Sequence, residues 1–151
     1  MNKLIIAFAL FITLSTSLTA QNSNVSETEA QQQAVKDIAV QWLKLLTTGE
    51  DIDSLLEIST TPFYINGKST AESTERLTEF YKYIIADKGK RAIPEISSKI
   101  ISKEDLPTSK NTPENALITE ITISNNEYKS EKIYVFLNAL EETYLVVGFL
   151  N

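Results

Sequence analysis

Hydrophobic and polar positions divide the chain into a helical front half and an extended back half. Between residues 28 and 47, apolar side chains recur at Val35, Ile38, Ala39, Trp42, Leu43 and Leu46, while Gln, Lys and Asp fill the opposite side. Steps of three and four residues put the apolar set on one helical face. Ser26 and Glu29 have capping-box spacing at its start. Leu45 and Leu46 lie one turn or less beyond Trp42, so this end of the helix must be covered broadly. Gly49 suits a left-handed C-terminal cap. Asp51 or Asp53 can cap the next turn by accepting from free backbone N–H groups. Ile52, Leu55, Leu56 and Ile58 then give a helix of about two turns, and the elbow joins two helices that share a core.

Ser59-Thr60-Thr61-Pro62 breaks the second helix, because the residue before proline is pushed out of helical angles. Phe63-Tyr64-Ile65 is a short extended piece, and Asn66-Gly67 is a turn signal. Ser69 or Ser73 can cap a third helix with Leu77, Phe80, Tyr81, Ile84 and Ile85 on one side, ended by Lys88-Gly89. From residue 91 the period changes. Ile93, Ile96, Ile100 and Ile101 mark extended chain, with Pro94 favouring an edge or bulge. Residues 102–115 hold two prolines and little to bury, a long surface connection. Leu117, Thr119, Ile121 and Ile123 alternate as in a strand that turns at Asn125-Asn126. Tyr128–Leu137 and Tyr144–Leu150 follow as strands, with a turn at 138–142. A helical block followed by antiparallel strands predicts an α+β fold, N-terminal helices packed in a curved antiparallel sheet.

The first twenty residues stand apart. A short positive start at Lys3, an apolar run from Leu4 to Leu14 and a small-residue exit to Ala20 predict a secretory signal peptide. The competing readings are a buried N-terminal helix or a retained anchor, and the run is short for a membrane span. Residues 21–26 then form a polar leader, and 27–151 a single domain, exported to the periplasm or the extracellular space. Without Lys3, the 14 basic residues fall by one against 20 acidic ones, a mature net charge of −7. That balance disfavours a nucleic-acid partner, and no membrane association is expected once the signal is removed. The chain has no Cys and no His, which removes disulfides, the usual near-neutral acid–base group and the commonest metal ligand. No cofactor or metal is expected.

Three stretches, "WLKLLTTGEDIDSLLEI", "TPFYINGKS" and "YLVVGFL", give the chain a resemblance to the NTF2-like (SnoaL-like, cystatin-like) α+β cones. The resemblance implies helices enclosed by a sheet that curls around them. The fold hosts isomerases, dehydratases, binders and interaction domains, so it does not by itself assign an activity. Isomerases of the family place an oxyanion-donating tyrosine on the first helix, about two turns before the glycine. The corresponding residue here is Trp42, whose indole N–H donates one bond without matching a phenol. They also use an aspartate after the second helix, where this chain reads Thr60-Thr61-Pro62-Phe63-Tyr64-Ile65-Asn66, without a carboxylate. Dehydratases of the fold use a His–Asp pair, and His is absent.

Six residues are the candidates for ligand contact: Trp42, Phe63, Tyr64, Tyr81, Glu120 and Tyr134. Trp42 is either a core anchor or the floor of a pocket, and the other aromatics pose the same choice. Glu120 shares a strand face with Ile118 and Thr122. On a concave face it would be a desolvated carboxylate suited to a general base or a ligand anchor; on a convex one, a solvated residue. The acid groups at 50–53, 104–105 and 141–142 lack the spacing of a calcium loop. Without His, a hydroxyl-nucleophile triad of the usual kind is ruled out.

The runs Ile133–Leu137 and Tyr144–Phe149 are apolar on both faces, although one face of a single-layer sheet ordinarily meets water. A homodimer through the outer sheet face would account for this, as would another protein or cover from the 102–115 connection. Together these features describe an exported binding or protein-interaction domain, with room in the cone for a small apolar ligand. The alternative is an isomerase or lyase that pairs a buried carboxylate, Glu120, with Tyr81 or Tyr134.

Overall fold

The computed structural model describes residues 28–88, 95–107, 112–125, 129–141 and 143–151. The expected signal peptide and leader lie outside them, as do Ser26, Gly89, Ile93, Pro94, Asn126, Tyr128 and Glu142. The chain divides into two units, Met1–Gln33 and Ala34–Asn151. Within the first, residues 28–33 are helical.

In the second unit the first helix, α1, runs over residues 34–48. Gly49 ends it with φ +62°, its N–H donating to the Leu45 carbonyl at 2.9 Å. Asp51 caps α2 (Ile52–Glu57) by accepting from the Ser54 N–H at 3.0 Å. Strand β1 (Ser59–Ile65) leads through a turn containing Asn66 and Gly67, both at positive φ, into the short β2 (Ser69–Ala71). Helix α3 (Thr74–Lys88) follows, and the Arg76 N–H donates to Ser73 Oγ at its start. Strand β3 (Glu95–Ile101), a single 3-10 turn at Lys103–Asp105, and strands β4 (Leu117–Asn125), β5 (Lys129–Leu140) and β6 (Thr143–Leu150) complete the chain. The class is the expected α+β, but the helical block is not continuous: β1 and β2 precede α3 and belong to the same sheet as the later strands.

All six strands join one curled open sheet in the order β2-β1-β6-β5-β4-β3. The sheet is mixed, which corrects the antiparallel expectation: β1 runs parallel to β6, while the other pairings are antiparallel. Pairing with β6 also extends β1 back to Ser59, so Pro62 lies within a strand. Proline is tolerated there because ladder register with β6 is interrupted between Ser59 and Tyr64. Strand β5 likewise continues to Leu140, where a turn at 138–142 was expected. Asn138, Ala139 and Leu140 pair with Leu145, Tyr144 and Thr143, and Glu141 at φ +52° takes the turn. Cross-strand pairing outweighs the local turn preference of Asn.

The core lies on the helix side of the sheet. Val35, Ala39, Trp42 and Leu43 of α1, Leu55 of α2 and Leu77 and Tyr81 of α3 meet Phe63, Ile121, Val135, Leu137 and Val146. Each large side chain buried in this way contributes about 1.5–3 kcal/mol.

A bulge sets which residues of β6 face the core. Phe136 pairs with Gly148 and Leu137 with Val146, so Val147 is the extra residue. One inserted residue reverses the alternation beyond it. Phe149 therefore joins Tyr144 and Val146 on the core side, while Val147 and Leu150 face outward with Ile118, Tyr134 and Phe136. The bulge needs Gly148, which sits at φ +155° with Tyr64 so near that an added Cβ would lie 2.5 Å from its carbonyl oxygen.

Candidate functional site

Three of the six candidate residues meet inside the sheet. Trp42, Phe63 and Tyr81 are fully buried. Trp42 lies 6.3 Å from Phe63 and 5.5 Å from Phe149, and the edge of Tyr81 meets Phe63 at 5.9 Å and 74°. Phe80 stacks on Phe149 at 6.0 Å. Helical spacing brings Phe80 and Tyr81 to the sheet, and the β6 bulge delivers Phe149 to them.

The polar edges of these rings form a relay of fixed direction. Trp42 Nε1 donates to Tyr81 Oη at 2.9 Å, and Ser59 Oγ donates to the Leu55 carbonyl at 2.6 Å. Tyr81 Oη and Ser59 Oγ are 2.7 Å apart. Each hydroxyl carries one proton, and that of Ser59 is committed to Leu55, so Tyr81 donates to Ser59 and accepts from Trp42. Burial pushes the Tyr81 phenol up to about 12, opposed by its bonds to Ser59 and Trp42. At neutral pH this phenol keeps its proton and has already spent it. An oxyanion donor needs an N–H or O–H aimed at a reacting group, and the relay consumes the indole and phenol protons internally. Thr119 Oγ1 is the buried side-chain oxygen without a partner among the described residues, on the core side of β4.

Glu120 and Tyr134 lie on the other side of the sheet, opposite one another on β4 and β5. Glu120 therefore cannot act with Tyr81. It is on the outer face yet only 6 % exposed, because two lysine stems lie beside it. Its Oε1 lies 3.3 Å from Lys99 Nζ of β3 and 3.2 Å from Lys132 Nζ of β5. Lys132 also donates to Oε2 at 3.2 Å. A carboxylate held by two cations is a clamp across three strands. Next to it, Ile118, Tyr134, Phe136, Val147 and Leu150 form a second buried cluster, with Ile101, Leu106 and Ala116 packed on it. Leu106 of the 102–115 connection thus supplies part of the cover for this face.

Tyr64, the remaining candidate, lines an open cleft of ≈ 520 Å³ on the outer side. Thr60, Thr61, Pro62 and Tyr64 come from β1, Asn138 and Val147 from β5 and β6, and residues 112–115 from the connection. The residue pattern did not reveal this cleft. Its signals are the Ser-Thr-Thr-Pro run, read above only as a helix breaker, and the glycine inside the last strand. Neither shows which distant segments they meet.

Among the described residues, no cluster of three or more Asp or Glu could hold a metal ion. No described helix is long and apolar enough to cross a membrane. Compared with known proteins, the chain matches no family model and no curated protein sequence.

Proposed function

We propose that the chain is an exported binding module of NTF2-like construction whose contacts lie on the outer side of its sheet. The observation that carries this reading is the closed relay Trp42–Tyr81–Ser59–Leu55, enclosed by packed aromatic rings. An isomerase or lyase of this fold works from inside the cone. Here the interior tyrosine and tryptophan are mutually satisfied, and Glu120 faces away from them between two lysines. The helices before a curled sheet and the Gly49–Asp51 elbow support the NTF2-like comparison, and the apolar run before Ala20 supports export.

The outer face has two regions. Its apolar cluster already carries Leu106 and Ala116, so that cluster is covered without a second copy. The cleft beside it has polar walls that no described segment fills, and that is where a ligand has room. Titration with N-phenyl-1-naphthylamine, a dye that brightens in apolar cavities, tests the reading. Absence of a saturable emission change is expected. A one-site transition with energy transfer from Trp42 would mean that the interior takes ligand, and would overturn it.

A further inference from the structure

We propose that the outer-face cleft binds a neutral, polyhydroxylated ring of the saccharide class; this rests on the outer-face reading above. Its volume, ≈ 520 Å³, lies in the range of roughly 300–1,000 Å³ found for small-molecule sites. The lining decides the chemistry. Hydroxyls come from Thr60 and Thr61 and primary amides from Asn115 and Asn138, so donors and acceptors are both offered. Among the described residues of the lining, Glu114 is the only charged one, with no Lys or Arg beside it. Against these residues an anion would meet repulsion without a counter-charge, and one carboxylate is too few for a metal. Among the described residues, apolar surface comes from the Tyr64 ring, two prolines and Val147. A sugar ring has this same division: C–H groups on its faces, which stack on an aromatic ring, and hydroxyls around its rim, which pair with amides and carboxylates.

The backbone provides an independent reason to regard the cleft as built. Both register irregularities between described strands open onto it. Between Ser59 and Tyr64, β1 advances five residues while β6 advances two, from Val146 to Gly148. That surplus brings Thr60, Thr61 and Pro62 to the cleft. The second irregularity leaves Val147 unpaired opposite Phe136, inside the cleft lining. Bulges cost ladder bonds and gather where a strand must re-aim side chains. Here they are adjacent and joined by the Gly148–Tyr64 contact, which tolerates no side chain at Gly148.

Nuclear magnetic resonance of the full chain tests this, read at the side-chain amides of Asn115 and Asn138. The probes are methyl glucoside, maltotriose, cellotriose and N,N′-diacetylchitobiose, with a phosphorylated sugar as the charged control. Saturable shifts with at least one neutral saccharide are expected. A trisaccharide preference identifies a glycan chain as the source, and equal binding of the methyl glycoside a free sugar. Binding should weaken by about tenfold, equivalent to about 1.4 kcal/mol, in Tyr64→Ala, in the exposed Asn138→Ala, and for the phosphorylated sugar. Asn138→Ala keeps the test valid if Tyr64→Ala fails to fold. Absence of saturable shifts with every saccharide overturns the proposal, as does wild-type affinity in Asn138→Ala and a folded Tyr64→Ala. If saccharides fail but a non-saccharide ligand moves the same amides, the sugar assignment falls and the outer-face reading stands. Shifts centred on the Trp42 indole overturn both.

Discussion

Trp42 Nε1 donates to Tyr81 Oη at 2.9 Å, tying α1 to α3 across 39 residues of sequence. The bond lies within the aromatic cluster, so neither partner can turn to water for a substitute. Tyr81→Phe keeps the ring packing and removes the oxygen, leaving a buried indole N–H without an acceptor. Stability should fall by about 1–3 kcal/mol, read from urea denaturation. Tyr83→Phe, at an exposed site on the same helix, should change it by less than about 0.5 kcal/mol.

The same phenol gives an alkaline signature. Its folded value of about 12 exceeds the unfolded value of about 10. The folded state holds the proton more tightly, so below the unfolded value the group contributes no pH dependence. As pH rises from about 10 towards 12, the unfolded chain ionises first and stability falls, by up to about 2–3 kcal/mol in total. Denaturation midpoints measured on both sides of that window should drop for the wild type. Tyr81→Phe should lose this component of the drop.

Two glycines at positive φ should respond differently to alanine. At Gly148 the new Cβ meets backbone, the Tyr64 carbonyl oxygen at 2.5 Å and its nitrogen at 2.9 Å. At Gly49 it meets Ile85 Cγ2 at 2.7 Å, the tip of a half-buried side chain. Gly49→Ala should cost about 1–2 kcal/mol, mostly for left-handed backbone. Gly148→Ala should cost more than about 3 kcal/mol and disturb the cleft-lining resonances.

Glu120 should reveal its clamp through non-additivity. Lys99→Ala or Lys132→Ala alone leaves one cation on the carboxylate, and each lysine is about half exposed or more, so each should cost less than about 1 kcal/mol. The double variant leaves a buried carboxylate without a counter-charge and should lose about 1–2 kcal/mol beyond the sum. A double-mutant cycle in urea measures that excess.

Local chemistry made the helices legible: the Trp42 face and the Gly49 cap were readable from a few neighbouring residues, and each N-cap was narrowed to two candidates, of which Asp51 and Ser73 serve. What stayed hidden depended on distant partners. The parallel β1–β6 pairing joins residues more than eighty positions apart, and Pro62 was read only as ending the second helix. The Val147 bulge moved Phe149 to the core side, which alternation alone assigns to the face of Val147. Glu120 was placed by its strand face, but its burial arises from two lysines on flanking strands. Trp42 and Tyr81 were singled out as aromatics, whereas Ser59, which fixes the relay's direction, looked like part of a helix breaker. The cleft needed four segments brought together, β1, β5, β6 and residues 112–115, and no single stretch announced it.

Hydrogen exchange of the Trp42 indole proton is the most direct test of the closed interior. The chain has one tryptophan, so this proton gives a single assignable resonance. Held to Tyr81 inside the ring cluster, it should exchange only through global unfolding, at a rate that tracks measured stability and slows on occupation of the outer cleft only by as much as the ligand raises that stability. Exchange faster than global unfolding, or protection that appears only when an apolar ligand is added, would mean an open interior and contradict the account.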